Sequence, residues 1–239
     1  IDGHAPGLSG ESLKDYVKMG ISTDHEATTL KEAEDKIAEG MMIQIREGSS
    51  AKSLVTLMPL IDKFPDSVLL CTDDYKAYDL RKGYINRIVK EAVENGCNIY
   101  NVLRAATLNA VEHYSLPVGL LKEGDDADFI IVNNLSDFKV VASYVKGVKV
   151  SHLDFYSYNE CVNNFVAEDI DVSDISEPDR NHIIGIVENS LYTKHLSIND
   201  TTKQLNKVVC YNRYKKGAKP ATALIEGFDL RYGAFGSTV

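Results

Sequence analysis

The chain has 239 residues, of which 44% are hydrophobic and 26% are charged, and its formal net charge is −9. This composition is typical of a globular protein that can bury a sizeable core. The acidic balance disfavours a surface for nucleic acids or anionic membranes, and no apolar stretch approaches the roughly 20 residues that span a bilayer.

The first 80 residues repeat one pattern, in which a short apolar run ends in polar residues and a helical pattern follows. The four repeats begin with IDGHAPG, ISTDHEA, MMIQIREGS and SVLLCTDD. The helical patterns stop at Gly20, Gly40 and Gly96, and glycine is the usual residue after a helix end. The apolar runs are dense in Ile, Val, Leu and Met, which is typical of parallel strands buried on both faces.

Polar residues end these strands at regular intervals. His4, His25, Glu47 and Asp73 lie 21, 22 and 26 residues apart, which suits one strand and one helix per interval. A parallel sheet of this kind is either open and doubly wound or closed as a (β/α)₈ barrel, and in both the carboxyl ends of the strands carry function. The glycines of GHAPGLSG are wrongly arranged for a doubly wound nucleotide binder. We therefore favour the barrel.

A barrel needs eight such units, and this sequence contains four. Almost no strand precedes His4, and four parallel strands with two unpaired edges are a poor stand-alone fold. We therefore expect an α/β chain that forms the second half of a TIM-like barrel and belongs to a longer protein.

The remaining sequence changes character twice. Residues 84–114 predict two helices with a break around residues 96–98, and the next 35 or so residues predict short strands with a hairpin turn at Lys146-Gly147. Residues 152–180 are acidic and irregular and predict a loop or linker. Strands return in HIIGIVENS, LNKVVCYNRY and ATALIEGF. The expected domains are a barrel half (1–115), a β-sandwich annex (116–151) and part of a C-terminal α/β domain (152–239).

Four cysteines are widely spaced along the chain, at positions 71, 97, 161 and 210. They include no C-x-x-C pair, which argues against a zinc knuckle or a thioredoxin-type motif. Because widely spaced free thiols suit a reducing compartment, we expect a cytoplasmic protein.

Two imidazoles and a carboxylate would meet at one rim of the barrel. His4, His25 and Asp73 offer the nitrogen and oxygen ligands of a first-row divalent metal. Such a metal makes hydroxide available near neutral pH, and Asp73 would then be a ligand and general base together. Side chains alternate along a strand, so Asp73 rather than Asp74 faces inward if Cys71 does.

Ordinary structural roles compete with this interpretation. A single histidine at a strand end more often caps or fills a core, the Asp73–Asp74 pair suits a helix N-cap, and Arg46–Glu47 suits a surface ion pair. The equivalent placement of these residues in one repeat favours the metal site. The other histidines, at positions 113, 152, 182 and 195, are expected to be structural.

The segments IDGHAPGLSG, GISTDHEATTLKEA, MMIQIREGSSAKSL and CTDD resemble the adenine deaminase family of the amidohydrolase superfamily. Later stretches, among them AATLNAVEHYSLPVGLLKEGDDADFIIVNN and GFDLRYGAFGSTV, are similar to that family's annex and C-terminal domain. The resemblance implies a barrel enzyme that hydrolyses adenine to hypoxanthine and ammonia with a metal-activated water. It also implies a divalent metal, manganese or iron with zinc as the alternative, in a centre that is binuclear in the full-length protein. The expected partners are a small purine substrate and further copies of the same chain.

Individual roles follow from the same resemblance. His4 and His25 would be metal ligands after the fifth and sixth strands of the family barrel, and Asp73 would be ligand and general base after the eighth. A proton donor is also needed, and Glu26 and Glu47 both remain candidates. The implied substrate contacts are Arg46, Glu47 and Ser49 in REGS, and Gly7 and Leu8 in the loop after His4.

Departures from the family pattern limit what this chain can do alone. The family's first-strand His-x-His pair and fourth-strand carboxylate do not occur in the sequence, and Tyr75 and Lys76 stand where the family has a basic residue and a histidine. Activity is therefore expected only in the full-length protein, because metal sites lose affinity steeply when ligands or their partners are removed. Two other functions remain open: another amidohydrolase, such as a cyclic amidase, or a non-catalytic remnant that has lost its metal.

Overall fold

A computed structural model describes residues 1–150, 164–166, 168–188 and 192–236. The chain divides into two compact units, Ile1–Asp154 and Phe155–Val239. The predictions for His152, Cys161 and the start of the linker lie outside the described residues. Within the described ranges, no helix has both the length and the apolar character that a membrane crossing requires.

Four short parallel strands form the main sheet of the first unit. They are β1 (Asp2–Gly3), β2 (Thr23–Asp24), β3 (Met42–Arg46) and β4 (Val68–Cys71). The strands are hydrogen-bonded in the order β1–β2–β3–β4, so sequential strands are neighbours. The parallel sheet expected from the repeat is confirmed, and its strands all end on the same edge.

Helices separate these strands and continue after β4. They are α1 (Gly10–Lys18), α2 (Leu30–Ala38), α3 (Leu54–Leu57), α4 (Pro59–Lys63), α5 (Ala77–Leu80), α6 (Ile85–Glu94), α7 (Ile99–Ala106) and α8 (Leu108–Tyr114). Gly20, Gly40 and Gly96 follow helix ends with φ of 88°, 89° and 93°, a conformation that glycine adopts without steric cost.

The prediction of only two helices between residues 84 and 114 is wrong, because the chain leaves the helical conformation again at Thr107 (φ −135°). The break between α7 and α8 orients Asn109, which is 2% exposed. Its side-chain amide donates to the carbonyls of Pro65 and Val68, each at 2.7 Å. These two bonds anchor α8 at the start of β4 and satisfy a buried polar group.

The core of this unit lies between the sheet and its helices. Ile43 and Ile45 of β3 are fully buried and pack with apolar residues of the helices, among them Leu57, Leu60, Ile61, Ile88, Ala92 and Val102. Because side chains alternate along a strand, Gln44 and Arg46 lie on the opposite face. That opposite face carries the polar residues described below.

A three-stranded antiparallel sheet completes the first unit, with strands β5 (Phe129–Val132), β6 (Val140–Val145) and β7 (Val148–Lys149). The predicted hairpin turn is confirmed: Lys146 and Gly147 have φ of 49° and 77°, as in the mirror-image turns that suit twisted hairpins. The sheet is attached to α6, since the Asn86 side chain donates to the Phe138 carbonyl at 3.0 Å.

The second unit contains a mixed sheet of β8 (Ile183–Ile186), β9 (Thr193–Leu196), β10 (Leu205–Cys210) and β11 (Ala221–Glu226). The strand order is β10–β11–β8–β9, and only β11 and β8 are parallel. Strand β9 was not predicted, because its sequence TKHL lacks an apolar pattern. The helix expected of an α/β domain does not occur in the described part of this unit, whose helical segments are two short 3₁₀ turns.

Candidate metal centre at the strand ends

Three side chains that follow β1 and β2 gather at the carboxyl edge of the sheet. His4 Nδ1 and His25 Nε2 each lie 3.5 Å from Glu26 Oε1. The two imidazole rings meet edge to face with their centroids 4.4 Å apart. In the described part of the chain, these three residues alone form a group of three or more potential ligands whose donor atoms lie within 4.8 Å of one another.

Asp73 reaches the same place from β4 through an unusual backbone conformation. Its φ is 50°, in the left-handed region that aspartate tolerates better than most residues. Asp73 Oδ2 lies 3.4 Å from His25 Nε2. The neighbouring Asp74 side chain is 85% exposed, and its one described ion pair is with Arg46. The structure thus turns Asp73, rather than Asp74, towards His25, although Asp73 lies outside the group formed by His4, His25 and Glu26.

His25 carries a buried nitrogen that no hydrogen bond satisfies. Its side chain is 11% exposed, and Nε2 has no hydrogen-bond partner. Leaving such an atom unpaired costs about 1–3 kcal/mol, so its retention needs a reason. The atoms that face it are carboxylate oxygens of Glu26 and Asp73. Nitrogen and oxygen donors in this arrangement fit a first-row divalent metal.

Arg46 links the carboxylates of the site. Its side chain is 5% exposed, and Nη1 lies 3.1 Å from Glu26 Oε1 and 2.7 Å from Asp73 Oδ2. Nη2 lies 3.2 Å from Asp74 Oδ2. The guanidinium therefore fixes the orientation of two carboxylates that face His25. In this structure Arg46 forms ion pairs with acidic residues. Its predicted contact with the purine stays a prediction.

Glu47 is directed away from the histidines. Its two carboxylate oxygens accept hydrogen bonds from Lys52 Nζ at 2.6 Å and from the Leu54 backbone N–H at 3.3 Å. These contacts attach the carboxylate to the N-terminal end of α3. Of the two acids that the sequence proposed as proton donors, Glu26 lies beside the histidines, and Glu47 braces a loop.

Ser49 also braces this loop. Its hydroxyl donates to Asp79 Oδ2 at 2.6 Å and accepts from the Lys76 backbone N–H at 3.0 Å. The adjacent Gly48 lies so close to the next strand end that a Cβ there would stand 2.5 Å from the Thr72 carbonyl oxygen. The REGS loop is therefore packed directly onto the segment that contains Asp73.

An ionic network beside the site was not predicted. The side chains of Asp24 and Lys36 are fully buried, and Lys36 Nζ lies 2.9 Å from Asp24 Oδ2. Lys36 also donates to Glu32 Oε1 at 2.7 Å and to the Ala5 carbonyl at 2.6 Å. From the sequence, Glu32 and Lys36 resemble an ordinary surface pair at i,i+4. One feature of the sequence could have predicted that Lys36 is buried: it lies three residues after Ala33 and therefore on the same, buried side of α2.

The loop after His4 is held by this network. Gly7 donates its N–H to Glu32 Oε1 at 2.6 Å, and Leu8 donates to the Ala5 carbonyl at 3.2 Å. Gly7 has φ of 69°, so the turn relies on glycine. Gly7 and Leu8, the substrate contacts implied by the resemblance, therefore lie on a loop whose backbone is fixed from α2.

A partly buried cysteine, Cys71, lies beside the site. Cys71 lies two residues before Asp73, and burial, reinforced by the Asp73 charge, raises its pKa to about 12. Its Sγ is 3.9 Å from the Gln44 carbonyl. In the absence of a metal, a thiol with this pKa stays protonated at neutral pH, so Cys71 is a poor nucleophile there.

Parallel βα units with a cluster of potential metal ligands at their carboxyl ends are typical of metal-dependent enzymes of the TIM-barrel type. Residues 4–150 match the family model described as "Amidohydrolase family". The chain belongs to the amidohydrolase family, which is generally metal-dependent and has a TIM-barrel-like fold.

Curated relatives match the whole chain or a large part of it. The chain is 39% identical to an adenine deaminase of Salinibacter ruber over 100% of its own length and 47% of the relative. It is 53% identical to an adenine deaminase of Methanosarcina mazei over 62% of its length and 27% of that protein. The chain thus spans about half the length of the first of these relatives.

A solved structure supports the fold. The β-aspartyl dipeptidase of Fervidobacterium islandicum, crystallised with a β-Asp-Leu dipeptide, aligns with a TM-score of 0.50 at 17% identity. The alignment covers 65% of this chain and 49% of the dipeptidase. At this identity the likeness concerns the fold alone.

Proposed function

We propose that this chain supplies half of the active site of an adenine deaminase, which hydrolyses adenine to hypoxanthine and ammonia. The observation that carries the proposal is the buried, unpartnered His25 Nε2, which faces carboxylates of Glu26 and Asp73. The named relatives supply the substrate, since the chain aligns along its whole length at 39% identity with an adenine deaminase. Because the chain spans 47% of that relative, the activity is proposed for a protein extended to the relative's length.

The metal would be held by His4, His25 and Asp73, with Glu26 within reach of both imidazoles. When bound, it would act as a Lewis acid that lowers the pKa of water and so provides hydroxide. We propose manganese or iron, with zinc as the alternative. A binuclear centre would draw its further ligands from the extended part of the protein.

Proton transfer would be divided between two carboxylates. Asp73 would accept a proton from the attacking water, and Arg46 would hold the carboxylate in place through its 2.7 Å contact with Oδ2. Glu26 is favoured over Glu47 as the proton donor, because Glu47 is bound to Lys52 and to the start of α3. General acid–base catalysis of this kind contributes typically 10²–10⁴-fold in rate.

The purine would lie between the loop after His4 and the REGS loop. Gly7 and Leu8 would form one wall, and the opposite wall would come from the REGS loop, to which Arg46 contributes its side chain and Glu47 and Ser49 their backbone. A neutral purine bound there would use backbone groups and directed polar side chains for orientation, as small-molecule sites commonly do. The contact with adenine itself is part of the proposal.

The test measures metal content and adenine turnover together. The extended protein should hold roughly stoichiometric metal by elemental analysis and release ammonia from adenine, while the 239-residue chain alone should be inactive. A cyclic amide such as dihydroorotate serves as the competing substrate. Turnover of the cyclic amide without turnover of adenine would replace the proposed activity by that of another amidohydrolase. A metal-free, inactive extended protein would indicate a non-catalytic remnant.

We also propose that the enzyme is a cytoplasmic homo-oligomer that takes part in purine salvage. Cys71, Cys97 and Cys210 are free thiols, as expected in a reducing compartment. Light scattering on the extended protein would measure the oligomeric state, and a monomer would refute that part of the proposal.

A further inference from the structure

A buried ionic clamp joins the segments that carry the two histidines. The clamp consists of Asp24, Glu32 and Lys36. Asp24 directly precedes His25, and its Oδ1 accepts the N–H of Ala5, the residue that directly follows His4, at 2.9 Å. The clamp therefore sets the position of one histidine segment against the other.

Every donor of the clamp ammonium is used. Lys36 Nζ donates to Asp24 Oδ2 at 2.9 Å, to Glu32 Oε1 at 2.7 Å and to the Ala5 carbonyl at 2.6 Å. An ammonium has three donors, so the buried charge is fully satisfied. A salt bridge of this kind adds little stability relative to apolar packing, and its best-attested value is structural specificity. The clamp is therefore better explained by what it positions than by what it stabilises.

The loop after His4 is what the clamp positions. The clamp binds three of its backbone groups, namely the N–H of Ala5, the carbonyl of Ala5 and the N–H of Gly7. Gly7 is exposed and adopts φ of 69°, and no other described hydrogen bond holds its N–H. Glu32, whose side chain is 13% exposed, is thus the link between the buried ion pair and the loop tip.

We propose that Glu32 is a positioning residue for substrate binding, which acts through Gly7 to fix the loop that walls the purine pocket. Lys36 fixes the position of Glu32, and Lys36 and Asp24 together fix the backbone of Ala5 beside His4. This inference rests on the proposed function for its substrate, whereas the hold of Glu32 on the loop does not depend on it.

The test compares three variants of the extended protein. Glu32→Ala removes the acceptor of the Gly7 N–H and should raise KM for adenine about tenfold, because the loop tip loses the charge-assisted hydrogen bond that holds it. Glu32→Gln keeps an acceptor oxygen at the same reach and should restore much of the wild-type KM. Glu34→Ala is the matched control, since Glu34 lies on the same helix but pairs with Lys63 at 2.8 Å.

Hydrogen–deuterium exchange of the peptide covering residues 5–8 provides a readout independent of activity. Exchange there should be faster in Glu32→Ala than in Glu34→Ala and wild type. Wild-type KM and wild-type exchange in Glu32→Ala would overturn the inference, and so would a lower yield of folded protein with KM unchanged. If wild-type protein shows no adenine turnover, the proposed function fails, and the exchange comparison alone then decides whether Glu32 holds the loop.

Discussion

Two layers of polar side chains lie on the same face of the parallel sheet, and they differ in how completely their polar atoms are paired. The outer layer consists of His4, His25, Arg46 and Asp73 at the strand ends. The inner layer consists of the residues two positions earlier, namely Asp2, Thr23, Gln44 and Cys71. Residues two apart on a strand point the same way, so Arg46 lies on the same face of β3 as Gln44. The other three outer residues lie just beyond the ends of β1, β2 and β4.

Each side chain of the inner layer makes at least one hydrogen bond. Asp2 Oδ1 accepts from Thr23 Oγ1 at 2.6 Å, from the Tyr114 hydroxyl at 2.7 Å and from Gln44 Nε2 at 3.3 Å. The outer layer instead contains His25 Nε2, which has no hydrogen-bond partner. The difference separates the scaffold from the candidate site, because the outer layer contains a buried nitrogen that can still bond to a ligand.

The largest expected difference between the two layers comes from substituting His25 in the outer layer and Thr23 in the inner layer. In the extended protein, His25→Ala should reduce metal affinity and adenine turnover at least 100-fold, because it removes a donor of the site. Its unfolding midpoint should change little, since Nε2 makes no hydrogen bond that could be lost. Metal analysis, turnover and thermal unfolding measure the three quantities.

Thr23→Val is the matched control two residues earlier. It removes the hydroxyl that donates to Asp2 and should lower the free energy of unfolding by about 1 kcal/mol. Metal content should stay at the wild-type value. Loss of metal in Thr23→Val, or its retention in His25→Ala, would mean that the two layers do not divide as described.

Asp73 allows charge and backbone conformation to be separated in the outer layer. Asp73→Asn removes the charge but keeps a residue that tolerates the left-handed φ of 50°, so turnover should fall about 100-fold with little loss of stability. Asp73→Ala should in addition lower the free energy of unfolding by about 1 kcal/mol, because alanine lacks the short polar side chain that helps Asp and Asn adopt the left-handed backbone conformation. Urea unfolding of both variants checks the difference. Equal stability of the two would show that the turn carries no strain.

The sequence predicted the positions of His4, His25 and Asp73 at the strand ends, but not which of the nearby acidic side chains would lie beside them. The repeat predicted that His4, His25 and Asp73 end equivalent strands, because parallel strands place their carboxyl ends on one edge. It left Glu26 and Glu47 undecided, since the direction of a side chain after a strand depends on loop contacts. The contact of Glu47 with Lys52 is such a case.

The clamp and the inner layer were missed for a related reason. A lysine four residues after a glutamate has the same sequence signature on a surface and in a core, and only packing decides that Lys36 is buried. Tyr114 meets Asp2 across 112 residues of sequence, a contact that local patterns do not report. Short polar strands such as β9 escape prediction because their pairing, rather than their composition, makes them strands.

The pH dependence of stability tests whether the inner layer favours the charged form of Asp2. Burial opposes the ionisation of Asp2, but hydrogen bonds from Thr23 and Tyr114 outweigh it and lower its pKa below the ordinary 3.8. A lowered carboxyl pKa in the folded state means that Asp2 stabilises the fold above about pH 4, and that this contribution is lost as the pH falls through the folded-state pKa. Urea midpoints between about pH 5 and pH 2.5 should therefore drop less steeply in Asp2→Asn than in wild type. Parallel slopes would show that the inner layer does not favour the charged form.

Cys71 provides the smallest test, since it belongs to the inner layer but lies next to the outer one. Burial raises its pKa to about 12, so at pH 8 the fraction of reactive thiolate is far below that of an ordinary thiol. Iodoacetamide should therefore label Cys71 at least 100-fold more slowly than the exposed Cys210, as measured peptide by peptide with mass spectrometry. The rate should be the same before and after chelation of metal, and Cys71→Ser should keep wild-type metal content. Fast labelling that metal suppresses would instead make Cys71 a ligand, and the boundary between scaffold and site would then lie one layer deeper in the sheet.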